Sequence, residues 1–581
     1  MNLIDALGLL REPVAENAPL VRVFLGCGFT PLHLKTFLAA HLRNVYPACK
    51  VELNSGLFGD LAGNLERLRP EDHDALAVVI EWPDLDSRLG LRTLGGWQVE
   101  KLTDIVTSLD RSLDRLTRAL QNTSAALPTC ICLPTLPLPP LFYTGTEQSS
   151  TVELVVRRKL ASFAEALSNE SRISIVSEQH LYHDSPLDKR FDFRTEITQG
   201  FPYKLSHASV IGKLLAGLIH RPEPKKGLIT DLDDTLWAGI LGEVGVDRIN
   251  WNLEQHGQLH GIYQQFLASL ASAGVMIAAT SKNDAALVER AFERNDLLLS
   301  RASLFPIEAH WGRKSESVQN ILKAWNVLAE SVVFVDDSPM EIAEVQSVFP
   351  EMECRLFPKD DYSEFWRLLL QLRDRFAKVS VSEEDSLRLQ SIRGFYSVSK
   401  PAGQADQSLD DFLREAAGHL TFVLEKPLGD MRAFELVNKT NQFNLNGRRY
   451  DETTWSRLLK DPSASMVTVS YEDKFGKLGR IALLIGRTEN NNFVIESWAM
   501  SCRAFSRRIE FHCLQYLFEK FAVDDIVFDV QDTGRNGPLL EFLHYCADGP
   551  LTSHLRLSRV RFLSRAPQMP HQIAERMTVN G

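Results

Sequence analysis

Long apolar runs are missing from this 581-residue chain: no stretch approaches the roughly 20 consecutive apolar residues that span a bilayer. Its opening, MNLIDALGLLREPVAENAPL, shows no basic leader ahead of an uninterrupted apolar segment, so a cytoplasmic protein without membrane association is expected. Cysteine is sparse. The 8 cysteines include no C-x-x-C pair, which excludes a disulfide framework and a paired zinc site. Cys130 and Cys132 in TCICL alternate on a predicted strand and are read as a buried apolar pair. Positive charge is in deficit, 64 Lys and Arg against 75 Asp and Glu for a net charge of -11, which argues against broad attraction to nucleic acid or anionic membrane. No internal repeat is visible.

What is present is ample core material, 44% apolar residues, distributed over blocks separated by lapses in periodicity. The first block, residues 1–220, opens with VRVFLGCGFTPLHLKTFLAAHL, a strand, a glycine turn and a helix; ALAVVIEW and TCICLPTL are continuous apolar runs of the kind buried on both faces of a parallel sheet. RPEPKKG, Arg221 to Gly227, is a linker. In the second block, residues 225–375, GLIT, VMIAAT and VVFV alternate with amphipathic helices and predict a doubly wound α/β sheet. A helical connector over 376–408 leads to a mixed α+β block over 409–581.

Each strand of the second block runs into polar residues: GLIT into Asp231 and Asp233, VMIAAT into Ser281, VVFV into Asp336 and Asp337. Open α/β sheets bind ligands at that carboxyl edge. Residues i and i+2 leaving a strand share a side, so Asp231 and Asp233 are expected to converge while Asp234 turns away. Four carboxylates in one crevice are tolerable around a hard cation, and an oxygen-rich site that takes a phosphate suits Mg²⁺, with Asp231, Asp233, Asp336 and Asp337 as candidate ligands. Lys314, in HWGRKSES, supplies a cation and Ser281 a hydroxyl for phosphoryl oxygens. The expected chemistry is attack of Asp231 on phosphorus, with Asp233 as general acid and then base. His256 and His260 have the i, i+4 spacing of a zinc pair on a predicted helix, but lack the glutamate of H-E-x-x-H and a third ligand, and are read as structural.

The ordered set Asp231-x-Asp233-x-Thr235, Ser281, Lys314 and Asp336-Asp337 resembles the four motifs of the haloacid dehalogenase (HAD) superfamily. FVDDSP looks like the branch with a minimal cap, and neither the segment after Thr235 nor that after Ser281 leaves room for a large lid. The resemblance implies a HAD-type sheet and adds Thr235, Lys282 and Asn283 to Ser281 and Lys314 as phosphate-binding candidates.

TDLDDTLWAGILGEVG, SKNDAAL, VFVDDSPMEIAEV, LVNKTNQFNLNGRRY and WAMSCRAFSRRIE together resemble FkbH-like proteins of polyketide biosynthesis, over about Lys225 to Gly549. That likeness implies an enzyme that takes the glycolytic acyl phosphate 1,3-bisphosphoglycerate, releases phosphate and passes a glyceryl or related three-carbon unit through a thioester to an acyl carrier protein. It departs from the family where Thr280 replaces the cysteine before S-K-N. The last block looks like a GNAT-type N-acyltransferase: KLGRIALLIG and NFVIESWAM pair as strands before the helix RRIEFHCLQYLFEKF. Cys502, at the strand-to-helix junction beside Arg503, is the candidate acyl-accepting thiol, or else a buried cysteine like Cys513. Ser506 and Arg508 stand where glycines would cradle a pyrophosphate, against coenzyme A; Arg503, Arg507 and Arg508 are read either as contacts for a carrier's acidic surface or pantetheine phosphate, or as a solvated basic helix start. The first block resembles the flavodoxin/SGNH-like N-terminal regions of longer FkbH-type proteins, with Gly28 in LGCGFT at the place of the nucleophilic serine and no acid just ahead of His207, so a non-hydrolytic role is expected.

Overall fold

The computed structural model describes residues 1–140, 148–378, 413–424, 426, 431–474, 476–501, 504, 507–547 and 553–575. The chain divides into two compact units, Met1–Glu223 and Pro224–Gly581. No described helix is long and apolar enough to cross a membrane. The connector expected over 376–408 lies outside the described residues apart from its first three positions.

The first unit is built on five parallel strands, β1 (Leu20–Cys27), β2 (Lys50–Ser55), β3 (Ala75–Val79), β4 (Thr129–Cys132) and β5 (Ile173–Ile175), in the order β2-β1-β3-β4-β5. Strand β3 shows why such runs are apolar throughout. Ala75, Ala77 and Val79 enter the core on one face of the sheet, Leu76 and Val78 the core on the other, so no position is left for a polar side chain. Cys130 and Cys132 both enter the same core, and burial pushes the Cys130 thiol up to about 12.

Among the described residues the second unit carries two sheets. The first of them has five parallel strands, β6 (Gly227–Asp231), β7 (Met276–Ser281), β8 (Leu304–Ala309), β9 (Val332–Asp336) and β10 (Glu353–Leu356), ordered β10-β9-β6-β7-β8. Leu228, Ile277, Ala279, Val333 and Val335 face one core, and Ile229, Met276, Ala278, Val332 and Phe334 the other. This is the doubly wound sheet the alternation predicts. After β6 the chain makes only a short helix, Leu241–Val244, before the long one at Gln258–Ser272; after β7 the helix Ala285–Phe292 follows at once. Neither insertion holds a large lid.

The other sheet is mixed: β11 (His419–Leu424), β12 (Ser465–Asp473), β13 (Gly476–Glu489), β14 (Asn492–Met500), β15 (Asp525–Asp529), β16 (His554–Ser558) and β17 (Gln572–Glu575), ordered β16-β15-β14-β13-β12-β11-β17. The expected pair β13–β14 is antiparallel, and β14 runs parallel to β15 after the helix Ile509–Lys520.

Candidate active site

Strands β6 and β9 are neighbours that end on Asp231 and Asp336, and this parallel pairing brings distant carboxylates to one edge. Ligand oxygens of Asp231, Asp336 and Asp337 lie within 4.8 Å of one another. Lys314 opens the helix Lys314–Trp325, where a cation meets the positive end of the helix dipole. Its position is set by its partners instead. The ammonium bonds to the Asp231 carboxylate, sits 3.2 Å from Asp336 Oδ2 and donates to the Thr280 carbonyl at 3.1 Å.

Five carboxylates, Asp231, Asp233, Asp234, Asp336 and Asp337, stand in this region against the ammonium groups of Lys314 and Lys359. The excess of negative charge shows on both sides. Burial pushes the Asp231 carboxyl up to about 7 against the pull of Lys314, with Asp336 and Asp233 adding to the rise. Burial likewise raises Asp336. Burial works against the Lys314 ammonium, but Asp231 and Asp336 outweigh it and hold its pKa above the ordinary lysine value. Asp336 Oδ2 is buried and has no directed hydrogen bond, although Lys314 lies nearby. Three carboxylates whose oxygens lie this close, with too little positive charge to balance them, fit a hard divalent cation such as Mg²⁺, held by Asp231, Asp336 and Asp337.

Asp233 is placed differently from the expectation that it joins this cluster as a ligand. Its Oδ1 accepts from Trp237 Nε1 at 3.0 Å and from the Leu241 N–H at 3.1 Å, and its Oδ2 from Asn283 Nδ2 at 2.8 Å. Three donors, two from the segment after β6 and one from Asn283, hold the side chain, and it is not among the three carboxylates whose oxygens cluster. Asp234 has a left-handed backbone, φ 50°, its Oδ1 accepts from the Gly239 N–H at 2.8 Å, and it stands outside the three clustered carboxylates.

Among the phosphate-binding candidates, Ser281 and Asn283 do meet, Asn283 Nδ2 donating to Ser281 Oγ at 2.8 Å, and both are buried. The Thr235 side chain is fully buried with Oγ1 lacking a hydrogen-bond partner, and its carbonyl accepts from His260 Nδ1 at 2.9 Å. Lys282 is half-exposed and pairs with Glu341 at 2.6 Å, a carboxylate from the helix after β9. His260 stacks on Phe357, and His256 precedes the helix that starts at Gln258, so the two histidines do not share a helix face. Sequence reasoning missed Lys359, which bridges Asp234 and Asp337 at 2.9 Å each. The signal was its place in FPKD, just beyond β10, at the same carboxyl edge as the aspartates.

In the last block, Cys502 and Arg503 lie outside the described residues. Arg507 contradicts a solvated or carrier-facing role. Its side chain is 4% exposed, 3.7 Å from an equally buried Asp473, and lies over the Tyr471 ring. Arg508 is left-handed, φ 58°, and donates to the Gln568 carbonyl at 2.8 Å.

In the first unit, a Cβ at Gly28 would stand 1.7 Å from Asp84 Oδ1, so a serine side chain has no space there. His207 is fully buried, with Nε2 2.9 Å from Thr135 Oγ1 and Nδ1 2.8 Å from Ser185 Oγ, and burial drives its pKa down to about 3. It stays neutral and structural. Thr135 in turn donates to Glu81, which also accepts from Tyr203 Oη at 2.8 Å. Burial raises the Glu81 carboxyl from 4.5 to about 7. Because the folded value lies above the unfolded one, folding takes up a proton between them, and the associated stability is full below the unfolded value and lost as pH rises through the folded one. Wild-type stability relative to Glu81→Gln is therefore expected to fall from pH 4.5 to above 7. The change is up to about 3 kcal/mol. Urea unfolding of both proteins across that range measures it, and the constant offset from the amide cancels.

No protein-family profile matches the chain, and no curated protein matches it. Among solved structures, the N-terminal part of the protein BF1531 from Bacteroides fragilis, which contains a phosphatase domain and was crystallised in complex with Mg, aligns over 65% of this chain and 100% of its own at 18% identity and a TM-score of 0.53. At that identity the likeness is one of fold. The salicylyl-acyltransferase SsfX3 from a tetracycline biosynthetic pathway aligns over 36% of this chain and 54% of its own at 11% identity, and its TM-score of 0.19 is too low to bear on the fold.

Proposed function

We propose that this chain is a Mg²⁺-dependent HAD-type enzyme that cleaves phosphate from the acyl phosphate 1,3-bisphosphoglycerate and loads the glyceryl or related three-carbon unit onto an acyl carrier protein. The observation that carries the phosphate chemistry is the gathering of Asp231, Asp336 and Asp337 around Lys314 at the carboxyl edge of a doubly wound sheet. The fold shared with a phosphatase domain that binds Mg supports the same reading. Bound Mg²⁺ would neutralise the carboxylates and the incoming phosphate.

The residues divide the work. In hydrolysis Asp231, oriented by Lys314, is the nucleophile on phosphorus, and the P–O bond breaks with the rest of the substrate leaving as the free acid or alcohol. Asp233, held by Trp237, Leu241 and Asn283, is the candidate acid and base beside the reacting oxygens. Ser281 and Asn283 offer polar groups to the phosphoryl oxygens, and Lys314 spreads the charge that develops there. Acyl loading breaks a different bond. A thiol, of Cys502 or of the carrier, gives up its proton and attacks the acyl carbon, a C–S bond forms, and the C–O bond breaks as phosphate leaves with that proton to the aspartate site, where Asp231 helps to hold the metal and forms no bond to phosphorus.

A second reading is hydrolysis of a small phosphorylated metabolite or phosphoprotein without acyl transfer. It is favoured by Thr280, which stands where relatives have cysteine and is itself fully buried in β7. Incubation with 1,3-bisphosphoglycerate, Mg²⁺ and candidate carriers, followed by intact-mass measurement of the carrier, separates the two. Phosphate release with a glyceryl-loaded carrier is expected; phosphate release with an unchanged carrier selects the second reading, and no release contradicts the first.

A further inference from the structure

Lys314 reaches the aspartates from the first turn of the helix Lys314–Trp325, and that turn has no cap of its own. The N–H groups of a first turn have no partner within the helix, and Arg313, at the capping position, has no acceptor in its side chain. A carboxylate from another helix steps in. Ser315 donates its N–H to Glu344 Oε2 at 3.1 Å and its hydroxyl to Glu344 Oε1. Glu344 belongs to the helix Pro339–Val348, which follows Asp336 and Asp337 at the end of β9. Its neighbour Val345 enters the same core as Val318 and Ile321 of the Lys314 helix, so the bridge joins two helices that share a core.

A second hold comes from β7. His310 donates its N–H to the Ser281 carbonyl at 3.1 Å, and its Nδ1 accepts from the Gly312 N–H at 3.0 Å, which leaves Nε2 to carry the proton that meets Ser317 Oγ at 2.8 Å. Strands β7 and β9 flank β6 in the sheet. The turn that carries Lys314 is therefore tied on one side to β7, which supplies the Thr280 carbonyl, and on the other to the helix after β9, the strand that supplies Asp336. We propose that Glu344 is a positioning residue of the phosphate site: by clamping Ser315 it sets how the Lys314 ammonium is shared between Asp231 and Asp336. Its charge acts in the same direction, because a carboxylate at a helix N-terminus offsets the dipole that opposes an ammonium on the first residue. The kinetic consequence rests on the phosphate-transfer reading; the clamp itself does not.

The test uses three variants of the full chain, Glu344→Ala, Glu344→Gln and, as a packing control, Val345→Ala. In phosphate release from 1,3-bisphosphoglycerate with Mg²⁺, Glu344→Ala is expected to lower kcat about tenfold and leave KM within about threefold, since a displaced ammonium costs transition-state stabilisation more than ground-state binding. Glu344→Gln keeps an oxygen for the Ser315 N–H and is expected to restore kcat to within about threefold of the wild type. Val345→Ala, which loses packing but not the bridge, is expected to melt at a lower temperature with kcat unchanged. A readout free of turnover accompanies these: Glu344→Ala is expected to lower the melting temperature of the wild type more than that of Lys314→Met, which has no ammonium left to hold. Wild-type kcat in Glu344→Ala, no recovery in Glu344→Gln, an equal loss of kcat in Val345→Ala, or equal melting shifts in the two backgrounds overturns the inference. A wild type that releases no phosphate but shows unequal melting shifts removes the reading of the site and leaves the clamp standing.

Discussion

Asp231→Asn is expected to fold as the wild type does and to lose phosphate release by at least about a thousandfold. The amide matches the carboxylate in shape, so Lys314 and the end of β6 keep their places. What disappears is the nucleophile together with one oxygen anion of the Asp231, Asp336 and Asp337 cluster. Loss of the nucleophile stops transfer of the phosphoryl group to Asp231, and loss of the metal-holding oxygen stops departure of phosphate from an acyl carbon. Steady-state phosphate release, with circular dichroism as the control for folding, measures it. Turnover within tenfold of the wild type would remove the aspartate from the chemistry.

Lys314→Met is expected to cost about 3–5 kcal/mol of stability, the range for breaking a buried ion pair from one side. Lys314 is 4% exposed at the side chain, and Asp231 and Asp336 would be left facing each other without their ammonium. Two consequences separate this from ordinary loss of packing. The penalty should shrink as pH falls, because burial already holds both carboxyls above their ordinary range, and protonation removes the buried charges left without their ammonium. Millimolar Mg²⁺ should recover part of the stability by binding the folded state. Activity should fall at least about a hundredfold, since the same ammonium spreads charge on the phosphoryl group. Thermal unfolding across pH, with and without Mg²⁺, checks the first two effects, and a variant as stable as the wild type would show that Lys314 bears no charge burden.

The parallel sheets were legible because burial on both faces leaves a plain mark. GLIT, VMIAAT and VVFV are apolar at successive positions, and their alternate residues do enter opposite cores. The meeting of Asp231 with Asp336 and Asp337 was legible for a related reason: parallel strands bring their carboxyl ends to one edge whatever separates them in sequence. Side-chain direction was not. The i, i+2 rule holds along a strand, but the strand stops at Asp231, and two residues later Asp233 answers to Trp237, Leu241 and Asn283. Lys282 and Lys359 took partners, Glu341 and Asp337, that only folding brings near. Arg507 looked like part of a basic surface run, yet it is buried with Asp473 at the end of β12, a pairing that local charge pattern does not reveal.

Asp231, Asp336 and Asp337 are expected to bind one divalent cation where β6 and β9 end. Calorimetric titration of Mg²⁺ into chelator-treated protein tests it most directly, with Asp336→Asn as the comparison. The account predicts one site in the wild type and its loss in the variant; no heat in the wild type, or the same binding in both, would contradict it.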